Sequence, residues 1–135
     1  MSAENILKVH KLKNTGCRKY IINELLRAET ALSEHEIKAS LPDLFDRVTF
    51  YRSLKTLEEK NILHRIVLHD ATVKYALNKN TLTEHEHAHF HCLNCDEVIC
   101  VENVIDSSAH FPSGFSVQST QVLLEGVCPN CSQKD

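Results

Sequence analysis

Apolar positions in the first half of the chain recur at helical spacing. In RKYIINELLRAE (18–29), Ile21, Ile22, Leu25 and Leu26 fall on one face of a helix. Ser33 followed by Glu36 has the form of a capping box, which opens a short helix EHEIKASL that Pro42 ends. Asp46, Thr49, Tyr51 and Arg52 then lead into VTFYRSLKTLEEK, where Val48, Leu54 and Leu57 are the expected inward stripe. The pattern next turns β-like, in ILHRIVL (62–68) and VKYAL (73–77), joined by HDAT. Helices followed by a hairpin are the order of a winged helix-turn-helix, and a generic small α+β domain fits the same pattern.

NKNTLTE (78–84) is polar and unpatterned and marks a linker. The remainder is strand-rich, in HAHFHCL, EVICVEN and FSVQSTQVLLEGV, with a short helix expected near 103–110. Pro112 and Gly114 interrupt the chain before its last strand. The expectation is therefore an α+β chain: a DNA-binding-like domain over 1–79, a hinge over 80–84 and a second domain over 85–135.

Composition changes this picture in two ways. No apolar run approaches the ~18 residues of a membrane span, and MSAENILKVHK lacks the apolar core of a signal peptide. A cytoplasmic location is expected, where cysteines stay reduced and paired ones point to metal. The net charge of −3 hides a split. Residues 1–80 carry 14 Lys/Arg against 10 Asp/Glu, whereas 81–135 carry one Lys against 8 acids. A basic module joined to an acidic one is the reading.

Cys92-x2-Cys95 and Cys128-x2-Cys131 are two knuckles whose sulfurs can face one ion, giving a tetrahedral thiolate cage suited to structural zinc. A redox pair or buried free thiols would be the alternatives. Cys17 stands alone and reads as packing. Between linker and first knuckle lies HEHAHFHC. On a strand His85, His87, His89 and His91 share a face, and two of them at i and i+2 can share an ion. HEHAH also matches H-E-x-x-H, the helical zinc-protease motif with Glu86 as general base, although the surrounding residues alternate like a strand. CPNC lacks the proline that precedes the first cysteine in zinc deaminases.

Taken in order, LKNTGCRKYIINEL, VTFYRSLKTLEEKNIL, HAHFHCLNCDEVI and GVCPNC resemble the ferric uptake regulator family of bacterial metal-dependent repressors, over roughly residues 6–132. The resemblance implies a winged-helix domain, an α/β dimerisation domain and a metal-sensing site near the hinge. It implies a homodimer that binds double-stranded DNA at an inverted repeat. Tyr51 and Arg52 would enter the major groove, Thr49 would contact backbone or base edge, and Lys13, Thr15 and Arg18 would lie near the DNA backbone.

The sensing ligands depart from the iron- and manganese-type pattern. His87 and His89 match the family's paired histidines, but Ala31, Ala76 and Cys100 stand where a histidine and two acids are common. Ala88 and Thr120 stand where a further sensing site has an acid and a histidine. His64 occupies a position where zinc-sensing members often have a ligand, although Asn78 replaces their cysteine after the wing. His64, His87, His89 and Cys100 would form a nitrogen and sulfur set that favours Zn²⁺ over Fe²⁺ or Mn²⁺. Glu102, His85, His91 and His110 are reserves. His10, His35 and His69 read as surface residues. An iron- or peroxide-responsive regulator is the alternative within the family, and a zinc hydrolase using HEHAH a remote one.

Overall fold

The computed structural model describes residues 2–43, 45–78, 88–101, 112–116 and 122–133. The chain divides into two compact units, Met1–Thr81 and Leu82–Asp135. The hinge expected at 80–84, the helix expected near 103–110, and His85, His87, Glu102 and His110 lie outside the described residues.

The first unit runs α1 (Ala3–Val9), α2 (Gly16–Ala28), β1 (Leu32–Ser33), α3 (Glu34–Lys38), α4 (Arg47–Glu59), β2 (Leu63–Val67) and β3 (Val73–Leu77). Each main helix starts where a short polar side chain can take up an orphan amide. Thr15 Oγ1 accepts from the Arg18 N–H at 3.4 Å to open α2, and Asp46 Oδ1 accepts from Thr49 N–H at 2.7 Å to open α4. The capping box forms around Ser33 as expected, with Ser33 N–H to Glu36 Oε1 at 2.9 Å and Glu36 N–H to Ser33 Oγ at 3.1 Å. Glu29 ends α2 in the left-handed region, with φ 60°.

The core of this unit packs Ile21, Ile22 and Leu25 of α2 against Ile37, Phe50, Leu54, Leu57, Ile62 and Leu63. One expectation fails. Val48 is exposed, and Phe50 heads the inward stripe of α4 with Ser53, Leu54 and Leu57. Two residues along a helix is a rotation of about 200°, so Val48 and Phe50 cannot share a face. Two elements were not expected. Helix α1 adds Ala3, Ile6 and Leu7 to the core, and β1 pairs with β3 to make a three-stranded antiparallel sheet of order β1-β3-β2. Glu36 of the capping box also meets Lys74 Nζ of β3 at 3.5 Å, and Lys74 is only 5% exposed.

The second unit contains β4 (Ala88–Cys92), β5 (Val98–Val101), β6 (Val122–Gly126) and α5 (Pro129–Ser132). The central strand β4 pairs antiparallel with β5 and parallel with β6. Gly126 makes room for a close approach, since a Cβ there would lie 3.3 Å from the Phe90 ring and the ring would have to give by a few tenths of an ångström.

Candidate metal centres and nucleic-acid interface

Strand β4 ends in Cys92, and the turn after it brings Cys95 back over the same end of the sheet. Strand β6 leads through Val127 to Cys128, which caps α5 and delivers Cys131 one turn later. The ligand atoms of Cys92, Cys95, Cys128 and Cys131 all lie within 4.8 Å of one another. Four thiolates around an ion with Zn–S near 2.3 Å have sulfur–sulfur edges of about 3.8 Å, and Cys95 Sγ lies 3.9 Å from Cys128 Sγ. The donors are in place for charge as well. Cys92 Sγ accepts from the Cys95 N–H at 3.5 Å and the Cys128 N–H at 3.3 Å. These amides pull the Cys92 thiol down to about 6, against the opposing effect of burial. Cys95 moves the other way. A backbone bond from Glu97 lowers it, but the shared proton of Cys92, burial and the neighbouring thiols push it up to about 12. The amides thus favour the charged form at Cys92, and the other thiols would give up protons on binding an ion. The residues fit a zinc ion.

The face of β4 opposite Cys92 carries His89 and His91, as period-two alternation requires. Pairing sets their neighbours. His89 stands opposite Cys100 of β5 and His91 opposite Glu125 of β6. The ligand atoms of His89 and Cys100 come within 4.8 Å of each other. Both histidines are buried, whereas Cys100 is half-buried. His91 Nε2 lies 2.6 Å from Asp96 Oδ1. His64, in the first unit, sits on β2 opposite Ala76. Its Nδ1 is 2.5 Å from Oδ1 of Asn78, the residue that stands where zinc sensors often have cysteine. Asn78 also donates to the Asn61 carbonyl, 2.5 Å away. The H-E-x-x-H reading required a helix through His89. That residue lies instead in a strand.

The DNA-binding candidates gather at the junction of α2 and α4. Thr15, Arg18, Thr49 and Arg52 line one cleft of about 280 Å³, together with Gly16, Cys17, Phe45, Ser53 and Thr56. Gly16 permits the walls to approach, since a Cβ there would lie 2.9 Å from the Phe45 ring. Arg18 Nη1 donates to the Lys13 carbonyl at 3.0 Å, tying the segment before α2 to the helix. Tyr51 is exposed on the flank of α4, with the Lys38 ammonium 5.1 Å from its ring centroid and 3.2 Å from its hydroxyl. Cys17 is buried in the wall of the cleft, and desolvation raises its thiol above the ordinary range. It packs, as expected.

Sequence reasoning missed Thr56, although it lies one turn after Arg52 and two after Thr49. It named Asn78 only as standing in place of a cysteine, and it missed Lys38, Asp96 and Glu125. Neither Asp96 nor Glu125 had a sequence signal: the turn after β4 brings Asp96 to His91, and the register of β4 and β6 sets Glu125 beside it.

A model of the ferric uptake regulator family matches residues 9–124. The ferric uptake regulation protein of Campylobacter jejuni is 30% identical over 140 residues, which is 97% of this chain and 87% of the relative. The peroxide operon regulator of Bacillus subtilis is 22% identical, over 92% and 90% of the two chains. Among solved structures, the Helicobacter pylori ferric uptake regulator matches with a TM-score of 0.63 at 23% identity, covering 98% and 95%. A zinc uptake regulator complexed with zinc and DNA matches with a TM-score of 0.69 at 19% identity, covering 97% and 91%.

Proposed function

We propose, from the premise that the chain belongs to the ferric uptake regulator family, that this metal-responsive transcription regulator is a zinc-sensing repressor. In this reading a homodimer binds an inverted-repeat operator, Cys92, Cys95, Cys128 and Cys131 hold structural zinc, and His64, His87, His89 and Cys100 hold the sensed ion. Among relatives named for iron, zinc or peroxide, the donor set of this chain is what discriminates. The observation that carries the reading is the register of β4 and β5, which sets His89 directly opposite Cys100. An imidazole nitrogen beside a thiol suits zinc better than iron or manganese, which take more oxygen.

The chain's own residues supply the rest. Arg52 on α4 offers the planar fork that matches guanine O6 and N7, and Tyr51 beside it is held by Lys38 for contact in the same groove. Thr15, Arg18 and Lys13 lie at the positive N-terminal end of α2, where a backbone phosphate is favoured. Thr49 borders both. Once bound, the sensed ion supplies bonds that join the wing histidine to the histidines and cysteine of the second unit. A bond made only in the DNA-competent arrangement shifts the population toward it.

His64→Ala tests the assignment. Operator binding by this variant should no longer respond to free zinc, while zinc in the cysteine cage stays at one per chain. A variant with unchanged metal dependence would remove His64 from the sensing set and leave Glu102, His85, His91 and His110 as the residues to test. The kinship with a ferric uptake regulation protein favours an iron- or peroxide-responsive protein as the second reading. Its signature would be histidine oxidation, read by mass spectrometry after peroxide treatment with Fe²⁺ bound.

A further inference from the structure

Val48, which the sequence pattern assigns to the inward stripe, is 55% exposed near the start of α4. A lone exposed valine is ordinary on a protein surface, but the place of this one is not. Side chains three or four residues apart on a helix are neighbours on one face. Val48 therefore stands beside Tyr51 and Arg52, with Lys55 on the next turn, and all four are exposed. Residues 47–57 hold Arg47, Arg52 and Lys55 and no acid, the charge that a nucleic-acid backbone attracts. Tyr51 has its ring and its hydroxyl against Lys38. A valine side chain offers no hydrogen bond, and valine forms helix less readily than alanine. Neither the core nor helix propensity accounts for it at this position. Among the groups that base pairs display in the major groove, the thymine C5-methyl is the apolar one.

We propose that Val48 is a specificity-determining residue that packs on a thymine methyl beside the guanine that Arg52 contacts. One helical turn separates Val48 from Arg52, about 6 Å along the axis, which spans roughly two base steps. The thymine accordingly lies within about two base pairs of that guanine. This rests on the reading of α4 as the helix that enters the major groove, and it adds a base preference that hydrogen bonding does not supply. Arg52 selects a guanine, and Val48 selects what stands near it.

Selection from a randomised duplex pool tests this. The full chain is saturated with Zn²⁺ and, in parallel, with anaerobic Fe²⁺, so that the outcome does not depend on which ion is sensed. Wild type should enrich one thymine per half-site near the guanine. Replacing that thymine with deoxyuridine, which lacks only the methyl, should weaken binding roughly 3–10-fold. Val48→Ser should lose the thymine enrichment and bind the thymine and uracil duplexes alike, while keeping the guanine preference. Val48→Ile should keep both preferences. Should serine disturb the helix, Val48→Ala favours it and should reduce the uracil penalty in the same direction. A uracil penalty that persists in the serine and alanine variants overturns the proposal, as does a wild type indifferent to the methyl. A wild type with no base preference at all overturns the groove reading of α4 as well, so the two failures are distinguishable.

Discussion

Arg52 and Arg18 line the same cleft, but the proposed DNA contact gives them different work. Arg52 projects from the middle of the exposed surface of α4, where a bidentate base contact is worth about 1–3 kcal/mol of discrimination. Arg52→Ala should therefore weaken operator binding by roughly 10–100-fold and relax sequence preference. Competition binding with operator and scrambled duplexes reads both effects. Arg18 sits at the start of α2 among backbone amides, a place for phosphate. Arg18→Ala should lower affinity for every sequence alike and reduce the salt slope by about one, measured as log Kd against log salt. The resemblance to the family singled out Thr15, Arg18, Thr49 and Arg52 in the sequence, and the fold brings these four to one cleft. Lys38 was not, because its contact with Tyr51 depends on how α3 packs against α4.

At the scale of elements, one carboxylate joins three pieces of the first unit. Glu36 caps α3, bonds the Ser33 amide of β1 and meets Lys74 of β3. Burial pushes its carboxyl up, but the Ser33 amide and Lys74 outweigh that and hold it below the usual 4.5. A depressed carboxyl contributes stability that is fully present above the unfolded value and lost as pH falls through the folded one. Wild type should accordingly lose stability as pH drops below about 4.5, and Glu36→Gln should flatten that part of the profile. At neutral pH Glu36→Gln should cost about 1 kcal/mol, a figure kept small because Glu36 is partly exposed. Denaturant melts across pH check both. Long amphipathic helices such as α2 and α4 were readable from their period, whereas α1 and the two-residue β1 are too short to show one. Likewise HAHFHC reads as a strand, but nothing in it tells that β6 lies parallel to it.

At the scale of the molecule, the basic and acidic halves match the two compact units closely. The first unit has its own apolar core, while the second builds around a three-stranded sheet closed by four cysteines. Stripping metal with a chelator should thus lower the thermal transition of the second unit and leave that of the first in place, as followed by calorimetry. The convergence of the four cysteines was legible, because two C-x-x-C knuckles point their sulfurs toward a common centre. The proposed sensing ligands were legible only as a set of candidates, because the pairing of His89 with Cys100 depends on register across strands.

The most direct test of the account is a metal-buffered titration of DNA binding on an inverted-repeat duplex, with Zn²⁺ compared against anaerobic Fe²⁺. The account predicts that Zn²⁺ switches binding on once the cysteine cage is already filled, and that Fe²⁺ does so far less well. Binding that only Fe²⁺ restores would contradict it, and would make this chain an iron regulator despite the cysteine opposite His89.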